Sequence, residues 1–146
     1  MAGVLDTNLL LYAANRGAPE HGAAREFLLA AGHSVDQWYL TDGILYEFLR
    51  VATHPRVFGQ PLTWQEALAF LRPFSDNPRF RFLPAGEQHF ALLEEVLAGL
   101  QHPAGNLFFD VRTVVLMREH GVRSIYTTDT DYLQFRDIKV TNPLRP

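Results

Sequence analysis

Ala2-Gly3-Val4-Leu5-Asp6-Thr7-Asn8-Leu9-Leu10-Leu11-Tyr12 is an apolar run that meets a carboxylate and passes at once into a helical pattern. Residues 2–5 read as a buried strand and Thr7 to about Asn15 as a helix, so Asp6 stands at the carboxyl end of a strand. In open α/β sheets ligands bind at that end. Asp6 is equally suited to serve as a helix N-cap, satisfying the backbone donors of Thr7, Asn8 and Leu9.

The same alternation runs through the rest of the chain. A second helix is expected from Pro19 to Ala31 or Gly32, and a strand over 35–40. Thr41 or Asp42 caps a third helix that proline ends near His54-Pro55, and residues 56–62 form a loop. Thr63-Trp64-Gln65-Glu66 has the capping-box pattern and opens a fourth helix reaching Phe74. A strand follows over 79–83, then a helix from Pro84 to Ala98-Gly99 and a loop over 100–106 that ends on Asn106, a good N-cap. The next helix runs from Leu107 to His120 and stops at Gly121. Strands at 124–127 and 138–140 precede an irregular tail from Asn142 to Pro146. Strands alternating with helices predict an α/β fold with a mainly parallel central sheet, in one domain spanning 1–146.

Composition narrows the chemistry. The chain has 146 residues, of which 47% are hydrophobic, enough for a genuine core. The absence of cysteine excludes disulfides, thiolate metal sites and cysteine nucleophiles, and suits a reducing cytoplasm. No basic leader precedes the first apolar run, and no stretch approaches the roughly 20 apolar residues of a membrane span. The net charge of -3 makes the whole molecule no magnet for nucleic acid, although 12 of its 13 basic residues are arginines, whose planar fork suits phosphate. Codon bias accounts for that preference equally well.

Four segments carry conspicuous acids. Asp110 interrupts the stripe Leu107, Val111, Val114, Met117, where a lone carboxylate needs a partner: a cation, an arginine or the helix N-terminus. Glu47 flanks the stripe Ile44, Phe48, Val51, a place where glutamates are usually solvated. Asp129 and Asp131 follow the strand ending at Thr127; one of them fits a ligand and the other a cap, and Asp129 is nearer the strand. Together with Asp6 they form an oxygen-only set that suits Mg²⁺ or Mn²⁺ rather than zinc, and the six histidines show no metal-binding spacing. A phosphate-binding loop, a dinucleotide fingerprint and a Ser-His-Asp set are all missing. A receiver-like phosphoacceptor module needs a lysine after a late strand, and Lys139, the only lysine, lies too near the C-terminus.

In order along the chain these motifs resemble PIN domains, specifically the VapC toxins of prokaryotic toxin–antitoxin systems. Val4 to Tyr12 resembles the first motif; Leu45 to Val51, with Pro55-Arg56-Val57-Phe58 and Pro61-Leu62-Thr63, the second; Asn106 with Asp110 the third; and Thr127 to Tyr132, with Phe135 and Asn142-Pro143-Leu144, the fourth. The resemblance implies a three-layer α/β/α sandwich and an acidic cluster of Asp6, Glu47, Asp110 and Asp129 that holds Mg²⁺ or Mn²⁺. It further implies endoribonuclease activity on an RNA substrate, a small cognate antitoxin that blocks the active-site groove, and a homodimer. Asn8 and Thr127 are expected to orient the ligating carboxylates. Arg16, Arg50 and Arg56 are the arginines nearest the acids in sequence, whereas Trp38, Trp64 and Tyr12 are expected in the core or an interface. The chain departs from the pattern at Val111-Arg112-Thr113-Val114-Val115, where small residues are usual, and at Asp131-Tyr132, where Asp-Phe is commoner. The same residues also fit a PIN nuclease of RNA processing or DNA repair without an antitoxin. A non-catalytic PIN module binding RNA or protein fits less well, because all four acids are present.

Overall fold

A computed structural model describes residues 2–145; the terminal Pro146 of the expected tail lies outside the described residues. Among them, five short strands form one parallel sheet in the order β3-β2-β1-β4-β5, with β1 at Val4–Leu5, β2 at Trp38–Leu40, β3 at Phe80–Phe82, β4 at Ser124–Tyr126 and β5 at Lys139–Thr141. Val4 stands opposite Tyr39 on one side and Ile125 on the other, so β1 is the centre of the sheet. The chain builds outward from β1 through β2 to β3, then returns to place β4 on β1's free side. That reversal creates a topological switch point between β1 and β4, where crossovers leave in opposite directions and open a crevice.

Helices cover the sheet. The helices α1 (Thr7–Ala14), α2 (His21–His33), α3 (Asp42–Ala52) and α4 (Trp64–Asp76) pack in succession, α1 against α2 and α3, and α3 against α4. The helices α5 (His89–Ala98) and α6 (Leu107–Glu119) form a separate pair. The result is the α/β sandwich that the alternation predicts. Val4, Leu5, Leu9, Leu40, Phe48, Val114, Leu116, Met117 and Ile125 are among the fully buried side chains of its hydrophobic core.

Local chemistry explains most boundaries. Thr41 caps α3 by accepting from Ile44 N at 3.1 Å, and Thr63 with Glu66 makes the reciprocal capping box of α4. Gly121 ends α6 at φ 67°. Several boundaries differ from the sequence expectation. The strand expected from Val35 begins only at Trp38, because Val35 lies in a bend and points to solvent. The helix expected after Pro84 starts at His89, and residues 83–88 form a connection held by Glu119, which accepts from Gly86 N at 2.7 Å and contacts His89 Nδ1. Asn106 precedes α6 but has helical dihedrals and no side-chain capping bond. Trp38 is buried, whereas Trp64 projects into solvent at the first turn of α4.

β1 and β4 approach so closely that only glycine fits at position 3: a Cβ there would sit 2.1 Å from the Ser124 carbonyl oxygen. Neither partner can yield, since both atoms belong to backbone in the middle of the sheet. Gly3→Ala is therefore expected to cost about 3 kcal/mol or more by overpacking, seen as a large fall in melting temperature by circular dichroism or as insoluble expression.

Candidate metal centre

The expected acids converge on the switch point. Asp6 follows β1 directly and caps α1, its Oδ1 accepting from Thr7 N at 2.9 Å. Glu47 comes from the middle of α3 and Asp110 from the first turn of α6. These three line one cleft of about 380 Å³. Asp129 follows β4, and Asp110, Asp129 and Asp131 bring carboxylate oxygens within 4.8 Å of one another. Asp110 is thus common to both groupings. Asp129, rather than Asp131, caps the short 3-10 turn Thr130–Gln134, accepting from Asp131 N at 2.8 Å through Oδ1 and leaving Oδ2 outside that bond. Asp131 is exposed at the edge of the group.

A hydroxyl holds the arrangement together. Thr127, fully buried just past β4, donates to Asp6 Oδ2 at 2.7 Å. Thr127 Oγ1 itself accepts from Asn8 Nδ2 at 3.2 Å and from Asp129 N at 2.9 Å, so the hydroxyl uses its one donor and both acceptor positions. Asn8 Oδ1 in turn accepts from Thr128 N at 3.4 Å. Thr127 thus touches the Asp6 carboxylate directly, while Asn8 supports Thr127 and the loop that carries Asp129.

The electrostatics follow from burial and crowding. Burial pushes the Asp6 carboxyl up to about 6; hydrogen bonds from Thr127 and Thr7 oppose this, and the charges of Glu47 and Asp129 add to it. Asp110 rises to about 7, again first through burial and then through the charge of Asp6, with smaller contributions from Asp129 and Glu47. Tyr132 has its hydroxyl 3.5 Å from Asp6 Oδ1 and within hydrogen-bonding reach of Asp110. Its own burial, together with those two negative charges, raises the phenol well above its ordinary value, so it remains a proton donor. The sequence reading overlooked this residue as a participant. Its signal was the Asp-Tyr pair where Asp-Phe is commoner, because only the tyrosine brings a hydroxyl to the acids.

The donor set is carboxylate oxygen throughout, the chemistry of a hard divalent cation such as Mg²⁺ or Mn²⁺. Thr7 Oγ1, buried in the wall of the same cleft, makes no hydrogen bond among the described residues. Carboxylates that resist ionising beside one another fit a bound cation, whose charge removes the reason for their resistance.

The family model of the PIN domain matches residues 3–139. The chain belongs to the PIN-domain family. Curated relatives of this PIN domain include Ribonuclease VapC33 of Mycobacterium tuberculosis, 35% identical over 140 residues that make up 96% of each chain. Ribonuclease VapC48 of the same organism is 30% identical over 147 residues, 98% of each. Among solved structures, VapBC2 from Rickettsia felis, bound to a promoter DNA fragment, superposes with a TM-score of 0.70 at 14% identity, covering 97% of this chain and 98% of the other. VapC20 of Mycobacterium tuberculosis, a sarcin-ricin loop cleaving toxin, has a TM-score of 0.65 at 17% identity, covering 95% and 99%. At such identities these two structures speak for the fold.

The raised carboxyls make a thermodynamic prediction for the metal-free PIN domain. Both groups bind protons more tightly folded than unfolded, so their contribution to stability is largest at low pH and falls as pH rises from the unfolded value of 3.8 through about 6 for Asp6 and about 7 for Asp110. For Asp6 the displacement corresponds to about 3 kcal/mol. Thermal melts in EDTA are expected to show Asp110→Asn more stable than wild type at about pH 7.5, with that advantage shrinking towards about pH 5.5. A mutant destabilised equally at both would contradict this.

Proposed function

We propose that this PIN domain is a VapC-type endoribonuclease, the toxin of a toxin–antitoxin pair, which hydrolyses RNA phosphodiester bonds with Mg²⁺ or Mn²⁺ at Asp6, Glu47, Asp110 and Asp129. One observation carries the reading: carboxylates from four separate segments meet at the sheet's switch point, two of them displaced towards neutrality by burial first and then by the charges of neighbouring carboxylates. Full-length similarity to VapC ribonucleases supports the substrate class.

In this reading Asp6 and Asp110 hold the principal cation, with Asp129 and Glu47 acting through water or completing a second position. A bound divalent cation supplies polarisation of the scissile phosphate and a lowered pKa for an attacking water. The protein supplies the rest. Thr127 and Asn8 fix the Asp6 carboxylate and the Asp129 loop, and Tyr132 donates to whichever of Asp6 and Asp110 is ionised. Glu47 or Asp129 accepts the proton of the attacking water.

The whole chain, 1–146, acts as a single domain in this reading and works in the cytoplasm as a homodimer. Among the described residues no helix is long and apolar enough to cross a membrane. An antitoxin partner is supported by a long groove between α2 and α4, lined by Leu28, Leu29, Phe58, Leu62 and Phe70.

Incubation of total RNA with purified protein is expected to yield discrete fragments with Mg²⁺ or Mn²⁺ and none with EDTA. Asp6→Asn and Asp110→Asn should each lower the rate by more than the roughly 10–100-fold typical of losing an outer-shell partner, while the proteins stay folded. Cleavage at wild-type rate by either variant would remove that residue from the site.

A further inference from the structure

The cleft has a rim that the acid cluster does not explain. Two helices contribute to it in the same pattern: Tyr46, Glu47 and Arg50 on α3, and Phe109, Asp110 and Arg112 on α6. In each, an aromatic residue directly precedes the carboxylate and an arginine follows within one turn. Tyr46 is 71% exposed and Phe109 64%. The interior rings behave differently. Phe27, Trp38 and Tyr126 contact one another, and Phe48, Phe70, Phe74 and Phe80 form a continuous chain of ring contacts. Among the described residues, neither Tyr46 nor Phe109 contacts another ring, so both leave faces open beside the carboxylates.

Arg112 adds a second observation. Its Nη1 is buried and lies 2.6 Å from Asp42 Oδ1, yet makes no aligned hydrogen bond. Gly43 leaves room for it, since a Cβ there would stand 3.1 Å from the same nitrogen. The cleft wall therefore contains a guanidinium whose Nη1 is taken by Asp42, a carboxylate 63% exposed, while the Arg112 side chain as a whole stays 35% exposed in the cleft lining.

We propose that this rim is the subsite for an unpaired RNA nucleotide next to the scissile phosphate, its base stacked on Tyr46 and Phe109 and its phosphate taken by Arg112 with Arg50. The inference rests on the ribonuclease reading. The chemistry favours a nucleotide, because the rim sets exposed rings and guanidinium groups side by side in one cleft lining, the partners of a base and of a phosphate. A nucleotide brings an aromatic face for the rings and an anion for the guanidinium groups of the same lining. Bases inside a duplex present no free face, so the rim selects single strands and loops over paired RNA.

The test uses the full chain carrying Asp110→Asn, which leaves the rim intact, titrated in Mg²⁺ against a fluorescein-labelled single-stranded RNA of mixed sequence and against its duplex. Fluorescence anisotropy is expected to show Tyr46→Ala and Phe109→Ala each weakening single-strand binding about tenfold, with Tyr46→Phe and Phe109→Tyr within about twofold of the parent and duplex binding unmoved. Arg112→Gln should reduce the salt dependence of single-strand affinity by about 0.7 in log–log slope, the signature of one lost phosphate contact. Ring variants that bind like the parent, while the wild type still cleaves RNA, overturn the subsite and leave the ribonuclease reading standing. A changed sedimentation coefficient on ring removal overturns it in favour of a protein interface. A parent that binds no RNA also overturns it, and a wild type that in addition cleaves none takes the ribonuclease reading with it.

Discussion

The burial of the Asp6 and Asp110 carboxyls, crowded by neighbouring acids, is the constraint around which this protein is organised. Folding places these charges together at some cost, and the rest of the structure holds them against it. The Thr127 hydroxyl is the central tie, since one oxygen joins Asp6 on β1, Asn8 on α1 and the backbone of Asp129 past β4. Its position follows from the pairing of β1 with β4, and that pairing requires the bare backbone of Gly3 against Ser124. The chain of dependence thus runs from a missing Cβ to a strand register, then to a hydroxyl, and last to the orientation of a carboxylate. In the proposed reading stability and function oppose each other here, since substitutions that relieve the crowding would remove the carboxylates that hold the cation.

Much of this was legible in the sequence, for identifiable reasons. Strand–helix alternation set the fold class, and the Asp6 position needed only the abrupt end of an apolar run. Asp110 stood out because it breaks a helical stripe, which is a strong signal when the flanking residues are as apolar as Val111 and Val114. Glu47 was a weaker reading on its own, because a residue at the flank of a helix faces solvent as readily as a cleft. Other features depend on distance in space. The hydroxyl of Tyr132 reaches Asp6 across 126 positions of sequence, and no local pattern encodes that. The division of labour between Asp129 and Asp131 turned on which carboxylate closes the 3-10 turn, and both have the right composition for it. The late start of α5 reflects a tertiary tie, the hold of Glu119 on Gly86 and His89, which overrides the ordinary tendency of Pro84 to open a helix.

Glu47 and Asp110 sit on helices rather than at strand ends, which gives the site two kinds of support. Asp6 and Asp129 inherit their positions from the sheet and its hydrogen bonds. Glu47 and Asp110 inherit theirs from α3 and α6, which touch each other across the cleft. Residues that precede or follow them by one turn are carried to the rim by helical geometry alone, so a change in Tyr46, Arg50, Phe109 or Arg112 alters what surrounds the acids without moving them. Such a layout allows the surroundings of the centre to diversify among relatives while the centre stays constant.

The sheet has two open edges, β3 and β5, and each is only three residues long. The sole lysine of the chain, Lys139, opens β5 and is exposed there, while Arg81 and Phe82 on β3 also face solvent. A strand so short and so charged offers a poor template for another strand, and lysine at an edge is a well-known obstacle to edge-to-edge pairing. Association with a second copy or another chain is therefore steered away from extension of the sheet and onto the helical faces, so that contact proceeds through side-chain packing, which is reversible and selective, rather than through backbone pairing, which propagates.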